Sequence, residues 1–362
     1  MYFEKYDPYK GKMLEILDQD GNIINKKLVP KITDEKLVSI LKTMIKTRVT
    51  DEKLLKLQRQ GRIFTFPPNL GQEGATVGSI AAIEKTDWLV TAYRELGAWM
   101  YHGFPLSNVM TYWTGNENGL KIPENVKMTP FAVPLASQLQ HAVGIAFASK
   151  YKGLDEVTIS YVGDGATSEG DFHEAMNFAA VNNTPNIFII QNNQWAISTP
   201  LRLQSKAPNL AVKSIGYGMR GIKVDGNDPL AVYAATKEAV DLAREGKGPS
   251  IIECMTYRMG PHTTSDDPTK YRSNEEVEIW KAKDPISRFQ KYLVDLGLWS
   301  DEERAKFDEE FEKEFKAEFA IVEKNEKLSL EEVIDYTYSK RTPDLERQYQ
   351  EKMKYYRDTN QI

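Results

Sequence analysis

The sequence has 362 residues, of which 41% are hydrophobic and 27% charged, a composition that excludes disordered and membrane-spanning proteins. Acidic residues outnumber basic ones by 52 to 47, giving a formal net charge of −5, and the basic residues are not clustered, so no nucleic-acid partner is expected. The single cysteine, Cys254, excludes an intramolecular disulfide framework and favours a reducing compartment. Its apolar surroundings, PSIIECMTY, predict an inert core thiol.

The N-terminal segment carries mixed charge, with Glu4 and Asp7 among its first residues. It has neither the apolar stretch of a secretory signal nor the arginine-rich pattern of a transit peptide, and no window approaches the ~18 apolar residues of a membrane helix. We therefore expect a cytoplasmic protein that does not contact a membrane. Residues 1–32, which include the turn sequence DQDGN, are predicted to form an N-terminal arm.

Helical periodicity begins at Thr33, and the pattern predicts one helix there followed by a second helical run that ends at Gly61. Residues 71–85 and 137–150 are predicted to form further helices, the first of them rich in small residues. The next part of the chain alternates between strands and helices. Strands are predicted at 156–162, 186–190, 221–226 and 250–257, and helices at 169–183 and 229–245.

The run NIFII (186–190) is almost wholly apolar, which is typical of a parallel strand covered by helices on both faces. The pattern predicts an α/β fold with a doubly wound, mostly parallel sheet over residues 33–299. A C-terminal helical extension is expected over residues 300–362, where Ser300 and Ser329 begin helices as capping residues. Every fourth residue of its first helix is a phenylalanine, a stripe that predicts packing on the body of the protein or on a partner subunit: Phe307, Phe311, Phe315 and Phe319.

The stretch VGDGATSEG (162–170) places Asp164 between two glycines directly after a predicted strand. Asn192 and Asn193 follow the next strand, and in an open α/β sheet both loops face the crevice at the carboxyl ends of the strands. Aspartate and asparagine oxygens suit Mg²⁺ or Ca²⁺, and the glycines let backbone amides approach phosphate. The constellation predicts a site for a divalent metal and a diphosphate, against the alternative of a surface aspartate in a turn.

Two rival functions were weighed against this prediction. A nicotinamide-binding oxidoreductase would need a third glycine where this chain has Ser168, and a ribose-binding acid after a suitable second strand, which the sequence lacks. A non-catalytic phosphate-binding module would not need the Asn pair together with the polar loops that carry Tyr93, Arg94 and His262.

Gly-Asp-Gly followed by Asn-Asn resembles the diphosphate-binding signature of thiamine-diphosphate enzymes. Over roughly residues 15–300 the chain also resembles the α subunits of 2-oxo acid dehydrogenase E1 components, through GQEGA, AYRELG, PLASQLQHAVG, NNQWAISTP, VDGNDPLAVY and YRMGPHTTSDDPTKYRS. Some of these segments look most like members that act on pyruvate. Others look equally like members that act on branched-chain 2-oxo acids, which remains the alternative.

The resemblance implies two cofactors, thiamine diphosphate and Mg²⁺. Carried over by position, the metal ligands are the side chains of Asp164 and Asn193 and the backbone carbonyl of Trp195, where the family usually has tyrosine or phenylalanine. Gly165 and Ala166 match positions whose backbone amides bind the diphosphate.

Further matches concern the rest of the cofactor. Tyr93 and Arg94 correspond to a pair that contacts the diphosphate, and Val133 and Leu135 to apolar positions against the cofactor. His262 corresponds to a catalytic histidine that also contacts the diphosphate. Of the other histidines, His102 and His141 are expected to be structural and His173 is left unassigned. Phe64, Phe66 and Pro67 lie near positions that line the acyl pocket in relatives.

The resemblance also implies partners. In such enzymes a β subunit supplies the glutamate that activates the cofactor, and only about ninety residues follow Arg272, too few for a second α/β domain. We therefore expect an α2β2 heterotetramer that is active only with the β subunit. Its predicted reaction is the oxidative decarboxylation of pyruvate with transfer of the acetyl group to the lipoyl domain of E2.

Overall fold

The computed structural model describes residues 1–324 and 328–360. Seven strands occur in this part of the chain: β1 (Trp88–Val90), β2 (Thr158–Gly163), β3 (Asn186–Asn192), β4 (Trp195–Ala196), β5 (Thr199–Pro200), β6 (Arg220–Asp225) and β7 (Ser250–Met255). Five of them form one sheet in the order β1–β2–β3–β7–β6, with every pair parallel. The other two, β4 and β5, form a small antiparallel hairpin. The predicted parallel α/β sheet is confirmed.

Helices precede, connect and follow the strands. The first seven are α1 (Tyr2–Lys5), α2 (Asp34–Arg59), α3 (Glu73–Ile80), α4 (Leu96–His102), α5 (Leu106–Trp113), α6 (Ser137–Tyr151) and α7 (Gly170–Asn182). The next seven are α8 (Leu201–Gln204), α9 (Pro229–Arg244), α10 (Asn274–Lys281), α11 (Pro285–Asp295), α12 (Asp301–Lys324), α13 (Leu330–Asp335) and α14 (Pro343–Asp358).

The central strands bury both faces, because successive residues of a strand point to opposite sides of the sheet. Ile187 and Ile189 of β3 belong to the larger core cluster, which contains residues of α2, α3 and α9. Phe188 and Ile190 belong to a second cluster with residues of α6 and α7. The sheet is thus covered by helices on both sides, which explains why the strands are apolar throughout.

The N-terminal arm is fixed to the edge of the sheet rather than lying free. Leu14 forms a parallel bridge with Val224 of β6. The carboxylate of Asp228 accepts the backbone N–H groups of Ile16 and Leu17, both at 2.7 Å. Its other oxygen caps α9 through Leu230. One aspartate therefore joins the arm to the start of a core helix.

The prediction of two helical runs before Gly61 is wrong, because α2 is a single helix of 26 residues. Its apolar pattern is interrupted by Thr47, Thr50 and Asp51, which are buried despite being polar. The Thr47 hydroxyl donates to the Thr43 carbonyl, and Asp51 accepts the backbone N–H of Asn69. The contact of Asp51 with the loop that carries Asn69 therefore takes the place of apolar packing at this point of the helix.

The phenylalanine stripe of α12 packs on the body of the protein, as predicted, and each ring lies beneath a cation from α2 or the residues just after it. We call this arrangement the Phe–cation ladder. Its four pairs are Lys42 with Phe307, Lys46 with Phe311, Lys53 with Phe315 and Arg62 with Phe319, with cation-to-centroid distances of 4.7–5.4 Å. Three of the cations also form ion pairs with acids of α12.

The predicted capping at the ends of the tail helices is present. The Ser300 hydroxyl accepts the Glu303 backbone N–H at 3.1 Å. Ser329 and Glu332 form a reciprocal capping box. None of the helices in residues 1–324 and 328–360 is long and apolar enough to cross a membrane. Cys254 is fully buried on β7, and burial raises the pKa of its thiol, as expected of an inert core residue.

Candidate active site

The predicted site residues lie in loops that leave the carboxyl ends of neighbouring strands. In the parallel pairing of β2 with β3, Gly163 lies opposite Gln191, so Asp164 and Asn193 follow the two strands on the same edge of the sheet. Tyr93 and Arg94 follow β1, and His262 follows β7. The crossover predicted from the sequence is therefore correct, and it brings these loops to one crevice.

The crevice is a cavity of about 590 Å³. It is lined by all ten residues that are predicted to bind the cofactor or the metal: Tyr93, Arg94, Val133, Leu135, Asp164, Gly165, Ala166, Asn193, Trp195 and His262. These residues are spread along the chain between positions 93 and 262, and the fold brings them together. Their individual roles stay predictions.

Asp164 is a buried carboxylate, only 2% exposed. Within residues 1–324 and 328–360 no lysine or arginine forms an ion pair with it, and its polar neighbours include the backbone N–H of Asn193 and the Gln204 Nε2, which lies 3.4 Å from Oδ2. Burial raises the pKa of Asp164 to about 6. A buried carboxylate without a paired cation is unfavourable unless a cation binds there, so the site suits a metal ion.

Asn193 lies beside Asp164 and is held from two sides. Its Nδ2 donates to Gln72 Oε1 at 3.0 Å, while its Oδ1 accepts the Trp195 backbone N–H at 3.2 Å. The amide oxygen and the Asp164 carboxylate are hard ligands of the kind that Mg²⁺ prefers. In the described part of the chain no cluster of three His, Cys, Asp or Glu side chains could hold a metal, so the donor set has a single carboxylate, which suits Mg²⁺ bound together with a phosphate.

The Trp195 carbonyl accepts Nη1 of Arg258 at 3.0 Å. A carbonyl oxygen has two lone pairs, so this bond leaves one available for a metal. The contacts of the indole show how a tryptophan fits at this position. Its Nε1 donates to Glu276 at 3.0 Å, and its ring lies 5.4 Å from that of Tyr271, so the side chain ties the Asn193 loop to the segment that follows β7.

Gly165 begins a 3-10 turn, Gly165–Ser168, between β2 and α7. A Cβ atom at position 165 would lie 2.5 Å from the Cβ of Ala196, closer than real contacts allow. Glycine is therefore required for the hairpin to approach this turn. The first N–H groups of the turn, those of Gly165 and Ala166, suit an anion, because the opening of a helical turn leaves such groups without helical partners.

Arg94 is 6% exposed and fixed by neutral acceptors rather than by an acid. Its Nη1 donates to the Pro68 carbonyl at 2.6 Å, and its Nη2 donates to the His262 carbonyl at 2.9 Å and to His262 Nδ1 at 3.1 Å. Tyr93 lies alongside, with its ring centroid 6.5 Å from that of His262. Within residues 1–324 and 328–360 the guanidinium forms no ion pair with an acid, although the buried Glu95 and Asp51 lie near it, so its charge suits a phosphate in the cavity.

His262 is half-buried, and its backbone N–H donates to Asp266 at 2.9 Å. Burial, and then the charges of Arg94 and Arg258, lower the pKa of His262 to about 4. The ring is therefore neutral near pH 7. Since the arginine can only donate, Nδ1 accepts and the proton resides on Nε2.

This assignment gives a direct prediction. The imidazole ¹⁵N shifts of His262 should report a neutral ring with the proton on Nε2 from pH 8 down to about pH 5, because its pKa is about 4. Replacement Arg94→Gln removes one of the two cations and should raise that pKa towards its ordinary value. The signals are assigned by their loss in His262→Gln. A doubly protonated ring at pH 7 would contradict the geometry.

The lip of the cavity is apolar and open. Val133, Leu135 and Ile197 are 55%, 47% and 54% exposed. Phe66 and Pro67 line the cavity, as expected for residues near an acyl pocket. Phe64 does not: it is 65% exposed and packs beside Gly115, outside the cavity lining.

Several cavity residues had no role assigned from the sequence, although four of them belong to the segments that carry the family resemblance. They are Gln72, Glu95, Gln138, Gln191, Gln204 and Arg258. Buried polar side chains such as these carry no periodic signal, so only the fold reveals them.

The remaining histidines lie outside the cavity. His102 is buried, with Nε2 3.1 Å from the Lys127 carbonyl, and is structural as expected. His141 is exposed on α6 rather than buried. His173 is exposed on α7 and contacts the hydroxyl of Tyr217.

The nicotinamide alternative is disfavoured by the turn after β2. In a dinucleotide-binding unit the glycine-rich turn opens directly into the helix that meets the pyrophosphate. Here the 3-10 turn Gly165–Ser168 comes first, and α7 begins only at Gly170.

Comparison with known proteins agrees with the site. The sequence model of the family described as "Dehydrogenase E1 component" matches residues 41–331. The pyruvate dehydrogenase E1 component subunit alpha of Acholeplasma laidlawii is 48% identical over 340 residues, covering 93% of this chain and 99% of the relative. The protein of the same name from Staphylococcus aureus (strain Mu50 / ATCC 700699) is 42% identical over 342 residues, covering 94% and 92%. With the site and these similarities together, the chain belongs to the dehydrogenase E1 component family.

Proposed function

We propose that this chain is the α subunit of a pyruvate dehydrogenase E1 component that depends on thiamine diphosphate and Mg²⁺. Membership of the family implies thiamine diphosphate in general, and the names of the relatives favour pyruvate. The observation that carries the proposal is the meeting of Asp164, Asn193 and Arg94 at one cavity. A buried acid without a paired cation and a buried cation without a paired acid suit a metal and a diphosphate, respectively.

The residues fit these groups. Asp164, Asn193 Oδ1 and the Trp195 carbonyl would hold Mg²⁺. The amides of Gly165 and Ala166 would hold the diphosphate.

The diphosphate would also be contacted by Tyr93, Arg94 and the Nε2–H of His262, which lie in the loops that follow β1 and β7. When bound, thiamine diphosphate supplies the nucleophilic carbon and the electron sink for loss of CO₂ from a 2-oxo acid. The chain anchors the diphosphate, and neutral His262 offers a proton donor at Nε2. Val133 and Leu135 would present apolar side chains to one side of the cofactor.

The other side needs a second subunit, which we propose to be E1 β in an α2β2 heterotetramer. The open lip of Val133, Leu135 and Ile197 cannot exclude water by itself. The helices that follow the cavity residues Ala136 and Glu169, α6 and α7, also expose an aromatic pair, Phe147 and Phe178, with ring centroids 5.8 Å apart. Exposed apolar surface of this kind is typical of a subunit interface.

The test is turnover by the chain co-expressed with its β subunit. Decarboxylation of pyruvate and of 3-methyl-2-oxobutanoate is measured with Mg²⁺ and thiamine diphosphate, followed by acyl transfer to an isolated E2 lipoyl domain. We expect pyruvate to be preferred by a large factor and the β subunit to be required. Preference for the branched acid would keep the mechanism and assign the alternative substrate. The absence of cofactor-dependent turnover of either acid would overturn the proposal.

Two coarser features complete the proposal. We divide the chain into an N-terminal arm (1–32), the cofactor-binding α/β domain (33–299) and a C-terminal helical extension (300–362). We also place the protein in the cytoplasm, in keeping with its single buried thiol.

A further inference from the structure

Three glutamines at the floor of the cavity each retain a buried polar atom that no group in residues 1–324 and 328–360 satisfies. The atoms are Nε2 of Gln72, Oε1 of Gln138 and Oε1 of Gln191. All three residues line the cavity and are at most 2% exposed. Buried polar atoms are nearly always paired. A ligand bound in the cavity would be in position to pair with these three atoms.

Gln191 differs from the other two because its second amide atom is held by an acid. Its Nε2 donates to Glu95 Oε1 at 2.6 Å. The other carboxylate oxygen of Glu95 accepts the Arg94 backbone N–H at 3.1 Å. Glu95, which is 1% exposed, therefore joins the end of β3 to the loop that carries Tyr93 and Arg94.

The direction of this bond determines which atom of Gln191 is unpaired. An ionised carboxylate can only accept, so the amide must turn its NH₂ towards Glu95 and leave its carbonyl oxygen unpaired. An oxygen in that position repels phosphate oxygens. A protonated carboxyl can donate to Oε1 instead. The amide then turns over and leaves its N–H groups to donate to an anion.

The groups that face Glu95 permit both states. Arg94 beside it favours the carboxylate, the phenol of Tyr161 of β2 is neutral because its pKa is raised, and Gln191 of β3 can pair with either form. Burial prevails over the favourable contacts and raises the pKa of Glu95 to about 7. Glu95 is thus partly protonated near neutral pH, and a small change in interaction free energy is enough to shift it between the protonated and the ionised form.

We infer that Glu95 is a positioning residue that orients the Gln191 amide towards the diphosphate, so that cofactor binding takes up a proton at Glu95. The inference rests on the proposed function, because it needs a diphosphate in the cavity. It assigns a role in cofactor binding to two residues that do not belong to the predicted ligand set. The bond that changes is the hydrogen bond between the carboxyl and the amide, and the proton comes from solvent.

The experiment is calorimetric titration of the αβ complex with Mg²⁺ and thiamine diphosphate at pH 7, in buffers of different ionisation enthalpy, which gives the protons taken up per site. Wild type is compared with Glu95→Gln, whose amide can donate to Gln191 at any pH. Asp51→Asn is the matched control. Asp51 is also a buried acid with its pKa raised to about 7, but it does not line the cavity.

We expect wild type and Asp51→Asn to take up about half a proton more than Glu95→Gln at pH 7, since an acid with a pKa of about 7 is then half ionised. Protons bound by the cofactor itself cancel in this difference. Above pH 7 the wild-type affinity should fall towards about tenfold per pH unit relative to Glu95→Gln.

Each outcome has one meaning. Equal uptake in all three proteins overturns the inference and leaves the proposed function intact, whereas no binding by wild type overturns both. If Glu95→Gln does not fold, the inference is tested on wild type by the infrared difference spectrum between the cofactor-bound and the free protein. Binding must then increase the absorption of protonated carboxyl groups, and the Asp51→Asn spectrum must show the same increase. No increase overturns the inference.

Discussion

Replacement Asp164→Ala is expected to lower thiamine-diphosphate-dependent decarboxylation by the αβ complex by about 10³-fold or more, because a metal ion contributes several kcal/mol to such chemistry. Asp164 is the one carboxylate among the three proposed metal ligands. The measurement is the rate at saturating pyruvate across a range of Mg²⁺ concentrations. Asp171→Ala, which removes an acid from the first turn of α7 outside the cavity lining, is the matched control.

In the free chain without metal, removing the charge of Asp164 should increase stability rather than cause a loss. In EDTA, Asp164→Asn is expected to raise the melting temperature at pH 7. Asp164 has a pKa of about 6 in the folded chain and an ordinary value of 3.8, so the stability contributed by its proton is present below pH 4 and is lost as the pH rises through 6. Asparagine removes that loss. Activity that survives in Asp164→Ala, or a variant that melts lower at pH 7, would refute the assignment of Asp164 as a metal ligand.

Phe311→Ala is expected to lower the free energy of unfolding by about 3–5 kcal/mol. The side chain is 2% exposed, lies 6.4 Å from Phe315 between ring centroids, and carries Lys46 over its face. Its removal leaves a cavity in the middle of the Phe–cation ladder. The measurement is urea unfolding of the free chain.

Phe147→Ala is the comparison for that experiment. It removes the same side chain from an exposed position on α6, where the ring is 39% exposed, and should change the free energy by less than about 0.5–1 kcal/mol. Equal effects at the two positions would mean that α12 is not part of the cooperative core.

The central sheet could be predicted because β2, β3 and β7 are buried on both faces and rich in apolar residues, and because β6 and β7 flank a helical run. Trp88–Val90 was missed, since three residues are too few to show a period. The single helix α2 was read as two because Thr47, Thr50 and Asp51 break its apolar pattern. The partner of Asp51 is Asn69, which is distant in sequence, and such tertiary contacts override local pattern.

The candidate site also contains residues that the sequence could predict and residues that only the structure shows. Asp164 and Asn193 could be found from the ends of two consecutive strands, since parallel strands bring their carboxyl ends to one edge. Glu95 and Gln191 could not, because their bond joins residues 96 positions apart and neither residue type marks a site by itself. Phe64 and Phe66 were grouped by proximity in sequence, whereas only the structure separates the exposed ring from the one that lines the cavity.

The Phe–cation ladder also constrains how the chain is made. The contact between Lys46 and Glu314 joins residues 268 positions apart, and a ribosome delivers the N-terminal partner first. Until α12 has been synthesised, the side of α2 that it covers remains open to solvent and to other nascent chains. The packing of α2 is therefore completed only after translation has passed α12.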